Sequence, residues 1–176
     1  MSATTTPIHI RKALPQDVPL ILAFIKLHAA YEGAPTKCHA TESKLLTTLF
    51  TPHPYASAIF AVLNGHEVAL AIYFFSFSTA VGPCFFLEDL IVAEEYRGRG
   101  VGTAILRELA KVCVERGCGR MEWGAFRGNV KAAEFYTKRV GARIVDDSTT
   151  FRLEEEALRD MANLDDRKTN EPSAGG

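Results

Sequence analysis

A glycine-rich stretch, EEYRGRGVGT, lies at the entrance to a strongly helical segment and could bind a phosphate group. Gly98, Gly100 and Gly102 occur within five residues, although a glycine in a helix costs about 1 kcal/mol relative to alanine. Bare backbone N–H groups at a helix N-terminus point at an anion, and the positive end of the helix dipole favours its negative charge. Arg97 and Arg99 would add positive charge. The stretch therefore indicates an anion-binding loop.

The spacing of the glycines narrows the possible ligands. A Walker A loop requires a lysine that is absent here, and a dinucleotide-binding loop requires a different glycine spacing. A third pattern, in which an arginine is followed by glycines three and five residues later, is that of a pyrophosphate cradle. Arg97, Gly100 and Gly102 fill it. A tight glycine turn without a ligand explains the same residues about equally well.

Further side chains that could take part in acid–base chemistry flank this loop. Glu88 and Asp89 lie in the strand predicted just before it, and Asn129 opens a predicted helix that carries Tyr136. Each has a plain structural interpretation as well: Glu88 as a solvated acid at a strand end, and Tyr136 as a core aromatic at helical spacing. Since the two carboxylates are adjacent, either could face a reaction centre.

The elements that must position these residues follow from hydrophobic periodicity, caps and turns. Thr41 is predicted to cap a helix, and Asn64-Gly65 is a strong hairpin signal. The predicted strands are 7–11, 58–63, 67–77, 85–92, 120–126, 142–146 and 150–153, and the predicted helices are 17–31, 42–50, a helix from the glycine loop to 116, 130–139 and 154–163. The expected fold is α/β with a mixed, mostly antiparallel sheet of about seven strands and four or five helices.

Composition excludes several function classes. The chain has 176 residues, 47% of them hydrophobic and 23% charged, with a net charge of −1, which predicts one globular domain over residues 1–163 without a field that attracts nucleic acid or anionic lipid. The polar tail, 164–176, is predicted to be disordered. The four cysteines have no metal-ligand spacing, so we expect reduced thiols, no metal and a cytoplasmic protein without a secretory leader.

Taken together, the motifs resemble the GCN5-related N-acetyltransferase (GNAT) superfamily. Within it, the likeness is greatest to the spermidine/spermine (diamine) and thialysine N-acetyltransferases. It is carried by LEDLIV, YRGRGVG, GNVKAAEFYTKRVGA and FRLEEEALRDMA, with weaker support from IRKALPQDVPLIL and AAYE near the N-terminus. The likeness spans nearly all of residues 8–163.

The resemblance implies a fold and an acetyl donor. Acetyl-CoA would lie in a V-shaped splay between two central strands, those predicted at 85–92 and 120–126. Backbone groups of the first strand would line the pantetheine and polarise the thioester carbonyl, and the glycine loop would hold the pyrophosphate. The implied cofactor-binding residues are Leu90, Ile91, Val92, Arg97, Gly98, Arg99, Gly100, Val101, Gly102, Thr103 and Asn129.

The resemblance also implies the catalytic roles. An alkylamine has a pKa of about 10.4, so it is protonated at neutral pH and must lose a proton before it attacks. Glu88 matches the family's general base, and Tyr136 matches the general acid that protonates the leaving sulfur. Tyr31 and Glu32 match the family's amine-binding pair, an aromatic face and a carboxylate for a cation. A helix C-terminus with an ordinary exposed glutamate would have the same sequence. Asp89 and Glu122 are further substrate-side acids, and Trp123 could offer a stacking face.

The sequence departs from the polyamine enzymes in two places. Residues 77–82 lack the acid and the tryptophan of that group, and Phe151 replaces a tryptophan. A shorter amine or a lysine-like amino acid such as thialysine therefore fits at least as well as a polyamine. The alternatives are a non-catalytic acyl-CoA-binding or regulatory module, and a protein or peptide N-acetyltransferase. The resemblance further suggests a homodimer with C-terminal strands near Phe151 at its interface.

Overall fold

The computed structural model describes residues 7–146 and 149–163, and it divides into two compact units, Met1–Phe135 and Tyr136–Gly176. Within the described residues the strands are β1 (His9–Lys12), β2 (Ser57–Leu63), β3 (His66–Ser78), β4 (Gly82–Val92) and β5 (Met121–Trp123). The helices are α1 (Val18–Tyr31), α2 (Glu42–Leu49), α3 (Val101–Glu115), α4 (Val130–Glu134) and α5 (Glu155–Ala162). Short 3₁₀ turns cover Pro15–Asp17, Pro35–Lys37 and Glu94–Tyr96, and a π-helical segment covers Phe135–Val140.

The first unit is built on one mixed sheet in the order β1-β2-β3-β4-β5. The first four strands pair antiparallel, whereas β5 runs parallel to β4. This confirms the predicted class, a mixed and mostly antiparallel α/β sheet. The strand number is lower than predicted, with five in the described residues rather than about seven.

Both faces of the sheet are buried, as the apolar run in β3 predicts. Phe60, Leu70 and Ile72 belong to a cluster that also contains the buried side chains of α1. Successive strand residues point to opposite faces, so the intervening Ile59 and Ala71 face the other side. Both are also buried. Helix α3 contributes its own buried stripe of Val101, Ile105, Leu106, Leu109 and Cys113.

Local signals place the helix and turn boundaries. Thr41 caps α2, since its Oγ1 accepts a hydrogen bond of 3.2 Å from the Lys44 amide. Asn64 and Gly65 both have positive φ, 54° and 80°, which is the conformation of the tight hairpin that this pair predicts. At the start of α1, Arg11 binds Asp17 at 2.6 Å and Glu67 at 2.9 Å. The guanidinium of Arg11 lowers the pKa of Asp17. Because Arg11 lies in β1, Asp17 at the start of α1 and Glu67 in β3, the network joins these three elements.

The predicted strands 142–146 and 150–153 are wrong. Residues 141–146 and 149–154 have irregular backbone, although their sequence alternates as a strand would. Alternation stabilises a strand only where one face is buried against a neighbour. Here Ile144 is 71% exposed and Phe151 is 91% exposed. The predicted strand 120–126 is also shorter, ending at Trp123, and the predicted helix 130–139 gives way to the π-helical segment after Glu134.

Candidate active site

The glycine loop adopts a conformation that leaves helix α3 open at its N-terminus. We call residues 97–103 the cradle loop. Gly98 and Gly100 have φ of 74° and 82°, values that side chains other than glycine rarely adopt. Gly100 is the N-cap, and its carbonyl accepts the first helical hydrogen bond from Ala104 at 2.9 Å. The amides of Val101, Gly102 and Thr103 precede that bond, so helix geometry gives them no partner within α3.

Gly102 differs from the other two glycines of the cradle loop. It lies in the first turn of α3, outside the left-handed region, and a Cβ there would lie 3.6 Å from Cζ of Phe135 and 3.9 Å from a methyl of Val92. Those are ordinary van der Waals contacts, so the fold accepts a small side chain at this position. Backbone conformation therefore explains Gly98 and Gly100 and leaves Gly102 unexplained.

Both arginines of the cradle loop lie over aromatic rings. Arg97 donates through Nε to the Val92 carbonyl at 3.1 Å, and its guanidinium carbon is 4.6 Å from the ring centroid of Tyr31. Arg99 lies 5.4 Å from the ring centroid of Tyr96. Arg97 thus connects the cradle loop to the C-terminal end of α1, where the predicted acceptor residues lie.

Strand β4 extends beyond the end of its pairing with β5. The β4–β5 pairing ends at Leu87 with Trp123, while β4 continues to Val92 alongside β3. From Glu88 onward, the edge of β4 that faced β5 is no longer covered by that strand. The unpaired stretch of β4 includes Leu90, Ile91 and Val92, at the place where the V-shaped splay was predicted.

A β-bulge in β4 falls on the predicted general base. Ile72 of β3 pairs with Asp89, but the next residue, Tyr73, pairs with Leu87, so Glu88 is the extra residue. Bulges re-aim side chains and occur frequently next to active sites. The bulge breaks the usual alternation, so Glu88 and Asp89 need not point to opposite faces. Sequence reasoning missed it, since the signal is a pairing register.

Asp89 lies in a cluster with residues of α1. Nε2 of His28 is 3.3 Å from Oδ1 of Asp89 and 3.4 Å from Oε1 of Glu32. We call these three residues the His28 cluster. Burial raises the pKa of Asp89, an effect that His28 opposes and Glu32 reinforces. Glu32 of the predicted pair is therefore brought together with Asp89, whereas Tyr31 contacts Arg97. His28 was not predicted, and its only signal was its i,i+4 spacing from Glu32.

Three other predicted residues lie outside this cluster. Glu122 pairs with Arg120 at 2.8 Å within the β5 region, and Trp123 is the last residue of β5. Asn129 caps α4, since its Oδ1 accepts a hydrogen bond of 3.1 Å from the Ala132 amide. An amide oxygen can only accept hydrogen bonds, so it is Nδ2 of Asn129 that could donate to a cofactor.

Tyr136 belongs to the second unit. It lies in the π-helical segment, and its carbonyl accepts a hydrogen bond of 2.9 Å from Ala142. Burial raises the pKa of its phenol. The phenol is therefore protonated at neutral pH, the form that a general acid requires.

In the part of the chain that the structure describes, no helix has the length and apolarity needed to cross a bilayer. The same residues contain no group of three or more His, Cys, Asp or Glu side chains arranged to hold a metal ion.

The open strand β4 followed by a glycine loop at a helix N-terminus defines a class of acyl-transferring proteins. The Acetyltransferase (GNAT) family model matches residues 24–142, so the chain belongs to this family and is an acetyl-CoA-dependent N-acetyltransferase. Thialysine N-epsilon-acetyltransferase of Sus scrofa is 31% identical over 164 residues, covering 87% of this chain and 96% of that protein.

Two further comparisons agree with this assignment. L-ornithine N5-acetyltransferase of Arabidopsis thaliana is 30% identical over 203 residues, covering 88% of each chain. Among solved structures, an integron cassette protein from the mobile metagenome of V. cholerae superposes with a TM-score of 0.73 at 26% identity. That match covers 88% of this chain and 97% of the other, and it supports the fold.

Proposed function

We propose that this enzyme acetylates a primary amine of a small molecule, either a short diamine or a lysine-like amino acid. The observation that carries the proposal is the contact between Arg97 of the cradle loop and Tyr31, whose ring centroid lies 4.6 Å from the guanidinium carbon. Tyr31 directly precedes Glu32 of the His28 cluster. An aromatic face beside carboxylates suits an alkylammonium ion. Relatives named for thialysine and ornithine acetylation support the same acceptor class.

The cradle loop and β4 would hold acetyl-CoA, the acetyl donor. The positive φ of Gly98 and Gly100 turns successive backbone groups toward the N-terminus of α3, where the helix dipole favours a pyrophosphate. Arg99 adds charge near the same end. The edge of β4 at Leu90, Ile91 and Val92 suits an extended pantetheine chain, because the strand backbone there is not paired with β5.

Transfer requires two proton movements. Glu88, at the bulge, would take the proton from the acceptor ammonium, directly or through water. The neutral amine nitrogen then attacks the acetyl carbonyl carbon, the C–N bond forms and the C–S bond breaks. Tyr136 would donate its phenolic proton to the departing sulfur, and its raised pKa keeps that proton in place at neutral pH. Positioned acid–base groups of this kind typically contribute about 10²- to 10⁴-fold.

The decisive experiment measures coenzyme A release with a panel of diamines, polyamines, thialysine, lysine, ornithine and short peptides. Wild type is compared with Tyr136→Phe and with Tyr55→Phe, a control at an exposed loop position (81% exposed). We expect turnover of a small amine by wild type and Tyr55→Phe. For Tyr136→Phe we expect a loss of kcat of about 100-fold or more with unchanged affinity for acetyl-CoA.

Each of the other possible outcomes would support a different function or mechanism. Tight binding of acetyl-CoA without turnover of any amine would make the protein a non-catalytic acyl-CoA-binding module. Preference for the peptides would make it a protein or peptide acetyltransferase. Full activity of Tyr136→Phe would remove Tyr136 from the mechanism while leaving the enzyme class intact.

We further propose that the enzyme is a homodimer. Support comes from the second unit, where Ile144, Val145, Phe151 and Leu153 expose between 47% and 91% of their surface. Segments that alternate like strands and lie exposed are suited to pair with a second copy of the chain. A cytoplasmic location stays a prediction from the sequence.

A further inference from the structure

We propose that His28 controls acceptor binding: it lies between Asp89 and Glu32, so the acceptor ammonium must compete with it for both carboxylates. The inference rests on the proposed function, since it concerns the same acceptor pocket. It assigns a role to a residue that neither the motifs nor the spacing of the sequence singled out.

The geometry places one nitrogen against two carboxylates. Nε2 of His28 lies 3.3 Å from Asp89 and 3.4 Å from Glu32. A single Nε2–H can donate well to only one acceptor, whereas an ammonium has three donors. An incoming alkylammonium could therefore satisfy both carboxylates better than the imidazole does, provided that the imidazole releases them.

The cluster is accessible and only moderately screened. The side chains of His28, Asp89 and Glu32 are 27%, 22% and 36% exposed. A small solute can reach them, yet partial burial keeps their interactions stronger than those of fully exposed pairs. Burial disfavours ionised Asp89, so this carboxylate needs a cation beside it. The imidazolium or the substrate can supply that cation.

The charges around His28 come from three places. Glu32 belongs to the same helix, Asp89 comes from β4, and Arg97 lies over the ring of Tyr31 next to Glu32. On β3, the residue paired with Asp89 is the uncharged Ile72. With His28 neutral the two carboxylates carry two negative charges, and with His28 protonated the net charge of the His28 cluster falls to one. The pocket therefore attracts a cationic acceptor more strongly once His28 loses its proton.

This arrangement predicts how acceptor affinity depends on pH. A protonated imidazole would compete with the ammonium for the two carboxylates and a neutral one would not, whereas an alkylamine stays protonated through pH 8. Affinity for the ammonium should rise as pH increases from 6 to 8. By linkage, acceptor binding should in turn favour the neutral imidazole.

The test measures binding to the enzyme–coenzyme A complex by calorimetry at pH 6 and pH 8, with 1,4-diaminobutane and lysine as probes. Wild type should bind 1,4-diaminobutane about fivefold or more tightly at pH 8 than at pH 6. His28→Gln should bind equally at both values, close to the wild-type affinity at pH 8. His66→Gln, a control at an exposed histidine of the β2–β3 hairpin, should behave as wild type. His28→Leu repeats the comparison, and unchanged coenzyme A affinity shows that each variant is folded.

A second measurement needs no variant. The NMR titration of the His28 imidazole in wild type should move to lower pH when 1,4-diaminobutane is added, whereas a purely structural histidine would not respond.

Three results would overturn the inference. A pH dependence that persists in His28→Gln would belong to Asp89, and an unmoved His28 titration would mean that the imidazole does not compete. If neither probe binds wild type at pH 8, the inference also fails. Coenzyme A release with another amine would then show that the proposed enzyme activity survives without it.

Discussion

Replacing Gly100 with alanine tests the conformation of the cradle loop. Gly100 has φ of 82° and caps α3. A Cβ built there meets no atom within 4 Å, so the whole cost is that of the backbone. An L-residue in the left-handed region costs about 1–2 kcal/mol. We therefore expect Gly100→Ala to lower either the free energy of unfolding or the free energy of acetyl-CoA binding by that amount.

Gly102→Ala is the matched control, because it adds the same methyl group two residues later. Its Cβ would lie 3.6 Å from Phe135, an ordinary contact, and its backbone is outside the left-handed region. Alanine stabilises a helix by up to about 1 kcal/mol relative to glycine. We expect this variant to be as stable as wild type or more so.

The assay combines thermal unfolding with calorimetric titration of acetyl-CoA. If Gly100→Ala keeps the loop conformation, its Tm should fall by about 2–8 °C, since 1 kcal/mol shifts a protein of this size by about 2–4 °C. If the loop of the variant instead relaxes in the free enzyme, the strained backbone must be restored when acetyl-CoA binds. The Kd for acetyl-CoA should then rise by up to about 30-fold. Wild-type behaviour of Gly100→Ala in both measurements, or an equal loss of stability in Gly102→Ala, would refute the reasoning.

Three further predictions concern stability and assembly. Burial raises the pKa of Asp89, so its ionised form destabilises the fold above that pKa; Asp89→Asn should be more stable than wild type at pH 7 in urea denaturation, with the difference vanishing below about pH 4. A destabilised Asp89→Asn protein would mean that the pairing of Asp89 with His28 outweighs the cost of burial. Arg11 lowers the pKa of Asp17, so Asp17→Asn should be less stable than wild type at pH 7, and the two stabilities should converge as pH falls. Phe151→Ser should convert the proposed dimer to monomer in light scattering, with monomer stability changed by no more than about 0.5 kcal/mol. Phe77→Ser, at another exposed phenylalanine (74% exposed), should leave the dimer intact, and a Phe151→Ser protein that remains dimeric would contradict this interface.

Features coded by neighbouring residues were predictable. The cap at Thr41, the hairpin at Asn64-Gly65 and the helix that starts after Gly100 lie where the sequence places them. Each depends on the conformation of a few adjacent residues. The strands 142–146 and 150–153 were not predictable in the same way, because a strand exists only when another segment pairs with it.

The sequence by itself showed the resemblance to the family, which implied the acetyl donor, and the spacing of its glycines indicated the local shape of the cradle loop. The tertiary structure alone decided that Asp89 meets His28 and Glu32, that Arg97 lies over Tyr31, and that Glu88 occupies a bulge. These contacts join residues far apart in sequence. They depend on how α1 packs against the sheet and on the register between β3 and β4, which no single segment encodes.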